Sequence, residues 1–195
     1  ILNLVFNKNV KLDVSNLNRE DSDIIGIAAG HKAIGLYAFL GLLYKIVQLR
    51  DAALYESVEH KLRFEDLLGF RKNPATSLPL LRKFNSRRLD GHPTPETSGV
   101  MLATGASGVG FGGFGGWAFA KKEYYEDPPV VHIIEGEGGM TPGRVHESLA
   151  HFWALNIWNL IVHVDWNNAS IDADNVCSDG DVKGQYVNWT PYDLG

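Results

Sequence analysis

The spacing of apolar residues divides the chain into a small set of elements. In residues 1–22, Val10, Leu12 and Val14 alternate before a polar run rich in Asn and Asp. From Asp23 a short apolar run ends at a Gly30-His31 turn, and the next segment, KAIGLYAFLGLLYKIVQL, has apolar residues on nearly every side of a helix. A helix that apolar all round is expected to be buried. Residues 64–71 read as a short surface helix, and 72–89 as a Pro- and Arg-containing connector of poor periodicity. A small-residue loop then opens a glycine-rich helix beginning at Phe111. Each helical glycine costs about 1 kcal/mol relative to Ala, so this helix is expected to lie where another part of the molecule comes close.

The region 130–172 carries the clearest pattern. Val130, Val131, Ile133 and Ile134 form a β-branched run that stops at Glu135-Gly136-Glu137-Gly138-Gly139. Pro142 suits a helix start, and Val145, Leu149, Phe152, Trp153 and Leu155 recur at helical spacing. A second strand, Leu160–Val164, follows. This is the grammar of one parallel βαβ unit, whose right-handed crossover brings both strand carboxyl ends to one edge of a sheet. The fold class expected is α/β, a parallel sheet flanked by helices, with residues 23–195 as one domain and 1–22 as an extension without assigned role.

Composition narrows the function. With 195 residues, 45% hydrophobic and 21% charged, the chain is large enough for a real core. A net charge of −5 without a long basic run offers nucleic acid no electrostatic foothold. The longest apolar run, Ala33–Tyr44, is too short to span a bilayer and is closed by Lys45, so no membrane association is expected. The lone Cys177 excludes an internal disulfide and suits a reducing cytoplasm. Both chain ends are expected to be cuts, the carboxyl end truncating the domain.

The sheet edge of the βαβ unit collects a carboxylate, Glu137, and a side-chain amide, Asn167. Together with backbone carbonyls they suit a hard cation, Mg²⁺ or Ca²⁺. Glycines at the start of the following helix leave amide N–H groups for an anion such as a diphosphate.

The pairing of Gly136-Glu137-Gly138 with Asn167, in a stretch ending Ser170-Ile171-Asp172, resembles the diphosphate- and metal-binding motif of thiamine diphosphate enzymes, and specifically of the transketolase family. Further residues share the resemblance, in order: Gly30-His31 followed by Leu36-Tyr37-Ala38, the Gly91-His92-Pro93 turn, and the loop Thr104-Gly105-Ala106-Ser107-Gly108-Val109-Gly110. It implies the diphosphate-binding domain of such an enzyme, using thiamine diphosphate with Mg²⁺ (or Ca²⁺) to move a two-carbon ketol unit between sugar phosphates. By the resemblance Glu137, Asn167 and the Ala169 carbonyl would ligate the metal. His31, Gly105, Ser107 and Gly138 would meet the cofactor, and His31 and His92 would serve as hydrogen-bond donors or proton shuttles. The catalytic Glu of the family lies on a separate pyrimidine-binding domain. A second polypeptide or a missing carboxyl-terminal half is therefore implied, and with it a homo- or hetero-oligomer.

Three departures bear on activity. The family's Asp is Glu137, its interface Glu aligns with Pro142, and an early Gly-His-Pro segment has no counterpart before residue 23. A non-catalytic truncated paralogue, or a thiamine-dependent enzyme acting on 2-oxoacids, are the alternatives. Gly110 to Gly115 also satisfies a dinucleotide-binding spacing, but its glycines run on into a helix instead of a compact βαβ turn. Gly105 to Val109 lacks the last Gly of a nucleophile elbow. The basic residues Arg82, Lys83, Arg87 and Arg88 read as a solvated face, or more sharply as a contact for a phosphorylated sugar.

Overall fold

A computed structural model describes residues 10–71 and 78–167. The expectations placed on Ala169, on the Ser170-Ile171-Asp172 stretch and on Cys177 lie outside the described residues. In chain order the elements are β1 (Ile24–Ile27), α1 (Ala33–Arg50), α2 (Ala52–Ser57), α3 (Pro79–Phe84), α4 (Val109–Tyr124), β2 (Val131–Gly136), α5 (Gly143–Ala154) and β3 (Leu160–Asp165). Short 3₁₀ segments occupy Gly30–Lys32, Phe64–Gly69 and Glu137–Met140.

The three strands form one parallel sheet in the order β1-β2-β3. Val131 pairs with both Ile24 and Leu160, and Gly136 with Asp165. The α/β class and the β2-α5-β3 unit are therefore as the apolar pattern predicts. Both strands of the unit extend past their predicted ends, by Glu135-Gly136 and by Asp165, because polar side chains at a strand end do not interrupt ladder hydrogen bonds.

Strand alternation sends side chains to two cores. Ile25, Ile27 and Ile134 pack with Leu36, Tyr37, Leu40 and Tyr44 of α1 on one side of the sheet. On the other, Ile24, Ala28, Val131 and Ile133 meet Phe111, Phe114 and Ala118 of α4 and Val145 of α5. Each such side chain removed fully from water contributes about 1.5–3 kcal/mol. Gly26 is bare because a Cβ there would lie 2.7 Å from the Phe114 ring.

Two expectations about burial are corrected. Only one side of α1 is buried: Ile34, Leu42, Ile46 and Leu49 are 42–77% exposed. The segment Gly30–Arg50 is long and apolar enough to cross a membrane by length and composition, contrary to the shorter run read from sequence. Within it Leu36, Tyr37, Leu40 and Tyr44 pack onto the sheet. On α5, Trp153 is 90% exposed although its spacing matches the apolar stripe.

The glycine-rich α4 is packed closely along one side only. A Cβ at Gly115 would lie 2.0 Å from the Phe152 ring, which stacks on Phe111 with centroids 5.9 Å apart, whereas Gly116 faces open space. The 64–71 segment is a 3₁₀ turn whose Asp66 is fully buried, not a surface helix. Arg87, read as part of a solvated basic face, is committed to that carboxylate at 3.1 Å, and Arg88 pairs with Asp90 at 2.6 Å.

Candidate functional site

The sheet topology determines what meets at the carboxyl edge. Gly136 and Asp165 are the last paired residues of β2 and β3, so Glu137 and Asn167 lie one and two residues beyond them. Glu137 opens the 3₁₀ turn and is 1% exposed. Its Oε2 accepts the backbone N–H of Asn167 at 3.4 Å. The two residues named for the metal are thus brought together. The Asn167 side-chain amide itself donates to Asp165 Oδ2 at 3.2 Å, and the same carboxylate receives Lys32 Nζ.

Three further stretches close around this edge. A Cβ on Gly30 would lie 2.8 Å from both His92 Cδ2 and the Gly105 carbonyl oxygen, and 2.9 Å from that of Thr104. Absence of a side chain at Gly30 is what lets the His31 turn, His92 and the Thr104-Gly105 loop touch. Thr104 Oγ1 donates to the Ile27 carbonyl at 2.7 Å, fixing the loop to the end of β1. Farther along the same loop, Arg144 Nη2 donates to the Ser107 carbonyl at 3.2 Å, and the Gly108 N–H donates to Glu135 Oε2 at 2.7 Å. Gly105 faces open space, and Ser107 and Gly138 are half-buried.

Gly108 caps α4 with φ +76°, and a Cβ there would sit 2.7 Å from the Gly139 carbonyl oxygen and 2.9 Å from Val145 Cγ2. The obstacle is partly backbone and cannot swing away. Gly108→Ala is therefore expected to destabilise the chain by about 1–3 kcal/mol, the cost of a strained left-handed non-glycine residue, read as a lowered urea midpoint at unchanged slope.

Electrostatics sets the histidines apart. His31 is half-buried, and burial, followed by the charges of Lys32, His92 and Arg71, pushes its imidazole below the ordinary 6.5. The ring is therefore neutral at pH 7, donating through one nitrogen only. His92 is exposed in its loop. Arg71 adopts φ 55° and lies across Gly91, whose Cβ would be 2.8 Å from Arg71 Nε.

Among the described residues no three His, Cys, Asp or Glu side chains converge as a metal-binding group. A cation beside Glu137 would be held by one carboxylate with neutral oxygens, and the balance would come from phosphate and water, the coordination Mg²⁺ favours. Glu137 and Asn167 carry oxygen donors of the type that Mg²⁺ accepts. The amide cradle differs from expectation in one respect: α5 begins only at Gly143, with Pro142 at its N-cap, so the residues after Glu137 belong to a separate 3₁₀ turn.

Reading the sequence missed Lys32, Glu135 and Asp165. Lys32 adjoins His31, and Asp165 is the first acidic residue after a β-branched run, so both carried a signal. Glu135 also did, as a carboxylate directly after the buried Ile133-Ile134 pair.

No family model matches the chain. Among curated proteins it is 29% identical over 167 residues to mouse transketolase-like protein 2, covering 86% of this chain and 22% of that protein. To the transketolase of Buchnera aphidicola it is 30% identical over 173 residues, covering 84% and 22%. The chain thus spans 22% of the length of these relatives. The solved transketolase of Campylobacter jejuni superposes with a TM-score of 0.66 at 26% identity, over 87% of this chain and 24% of that one. A transketolase variant of Pichia stipitis shares the fold at TM-score 0.67 and 24% identity, over 87% and 22%. By these likenesses in sequence and fold, the chain belongs to the transketolase family.

Proposed function

We propose that the chain is the diphosphate- and metal-binding part of an enzyme that transfers a two-carbon ketol unit between ketose and aldose sugar phosphates in the cytoplasm. The observation that carries this reading is the contact of Glu137 with Asn167 beyond the ends of neighbouring parallel strands. Beside that contact, the Glu137 carboxylate and the Asn167 side-chain oxygen would offer Mg²⁺ (or Ca²⁺) a site that an amide-lined glycine loop adjoins.

Carbon–carbon cleavage and formation would be the chemistry of bound thiamine diphosphate. The residues of this chain bind and orient. Glu137 and Asn167 would hold the cation, with the Ala169 carbonyl assigned by resemblance. The backbone of Gly105, Ser107 and Gly138 would line the cofactor. His31, as a neutral ring, would donate a hydrogen bond to an anionic oxygen, and His92 would meet substrate hydroxyls. Arg144, whose guanidinium donates to the Ser107 carbonyl, would place positive charge beside the loop and lower the cost of gathering phosphate there, while Lys32 is paired with Asp165. Turnover would require a pyrimidine-binding domain with its own acidic residue, from a second polypeptide or the remainder of a longer chain.

Titration calorimetry tests the reading. The chain is expected to bind thiamine diphosphate in the presence of Mg²⁺ and to lose that binding in EDTA. Steady-state assay of the isolated chain with ribose and xylulose phosphates is expected to show no turnover. The second reading, a paralogue without chemistry, draws on Glu137 and Pro142 standing where the family has Asp and Glu. It predicts no metal-dependent binding, and that result would displace the first.

A further inference from the structure

We infer that Glu135 is a positioning residue for the diphosphate site, its carboxylate fastening the Thr104–Gly110 loop to the end of β2 and so to the Glu137 turn. This rests on the reading above and deepens it. Glu135 is 0% exposed. By strand alternation it falls on the side of β2 that carries Val131 and Ile133, facing the apolar layer of α4 and α5. A leucine would satisfy packing there. A carboxylate is costly to bury unless its oxygens are bonded, and both are: Oε2 accepts the Gly108 N–H at 2.7 Å and Oε1 accepts the Gly136 N–H at 2.8 Å.

The glycines around it are shaped to that carboxylate. A Cβ on Gly139 would lie 2.2 Å from the Glu135 carboxyl carbon, and one on Gly108 would lie 2.7 Å from the Gly139 carbonyl oxygen. Gly108, Gly136 and Gly139, from the two loops assigned to the diphosphate, therefore close on one side chain. Glu135 need not touch the ligand. It sets the distance between the Ser107 backbone and Glu137, which would.

Glu135→Gln and Glu135→Leu test this. Glutamine keeps the shape but has one acceptor oxygen, and its amide NH₂ would confront the second N–H. Leucine offers neither acceptor. In Glu135→Gln the Gly108 amide is expected to exchange with deuterium roughly tenfold faster while Ile133 stays protected. The Kd for thiamine diphosphate in Mg²⁺ should rise roughly ten- to a hundredfold, the loss of one charge-assisted hydrogen bond. A residue needed only for stability would lower the unfolding temperature and leave the affinity of the folded protein alone. Unchanged affinity in Glu135→Gln beside a wild-type chain that binds overturns this inference by itself. A wild-type chain that binds no thiamine diphosphate overturns it together with the reading on which it rests.

Discussion

Replacing Glu137 by Ala is expected to abolish magnesium-dependent binding of thiamine diphosphate without unfolding the chain. Glu137 is 1% exposed and points its carboxylate at the backbone N–H of Asn167, 3.4 Å away, where β2 and β3 end side by side. It is the carboxylate that opens the glycine turn, so its loss would leave a cation there with no charged ligand from that turn. A weakening of about 100-fold or more is expected, equivalent to about 2.7 kcal/mol. Glu137→Asp shortens the side chain by one methylene and restores the residue type of the family motif. It is expected to keep the metal dependence and stay within about tenfold of wild type. Calorimetry over a Mg²⁺ series, with a thermal melt as the folding control, separates the two variants. A Glu137→Ala protein that titrates like wild type would exclude this carboxylate as a metal ligand.

The fold was legible because apolar periodicity records burial. Val131 and Ile133 lie at the centre of the sheet, fully buried, and their β-branched run had no other reading. The site was legible where its residues stand at the ends of such runs: Glu137 after β2, Asn167 after β3, Gly30 and His31 after β1. What stayed hidden depends on the third dimension. Periodicity cannot separate the covered and uncovered sides of a helix as uniformly apolar as α1, so Leu49, 77% exposed, looked like core. Trp153 sits at the edge of the α5 stripe, and spacing alone placed it inside. A charged residue announces exposure by default, so the local pattern around Asp66, Arg87 and Glu135 points to solvent or to turn chemistry. Each is instead paired with a group 21 or more residues away, and no local pattern encodes that pairing.

Asp66 carries the largest expected effect on stability. Its carboxylate is fully buried and accepts from the Arg63 N–H at 3.0 Å, Arg63 Nη2 at 2.7 Å, the Arg87 N–H at 2.9 Å and Arg87 Nε at 3.1 Å. These bonds tie the Phe64–Gly69 turn to the strand-like residues leading into Gly91-His92, beside the Phe70–Leu89 bridge. Removing one partner of a buried pair costs about 3–5 kcal/mol. The Arg63 and Arg87 side chains are 30% and 46% exposed, so water screens part of the loss and about 3 kcal/mol is expected for Asp66→Ala. For a domain of this size that is a fall of roughly 6–12 °C in Tm. The pH dependence has a definite sign. Burial alone would raise the Asp66 pKa, but the Arg63 hydrogen bond, the Arg87 and Arg63 backbone N–H groups and the Arg87 charge outweigh it, and the value falls below the ordinary 3.8. A carboxylate with a depressed folded-state pKa contributes stability that is complete above its unfolded value and is lost as pH falls through the folded one. Urea melts of wild type and Asp66→Asn should therefore differ by a constant amount from about pH 5 to 8 and converge below about pH 4. Curves that stay parallel down to pH 2 would mean that the Asp66 charge contributes nothing, and that only its shape holds the turn.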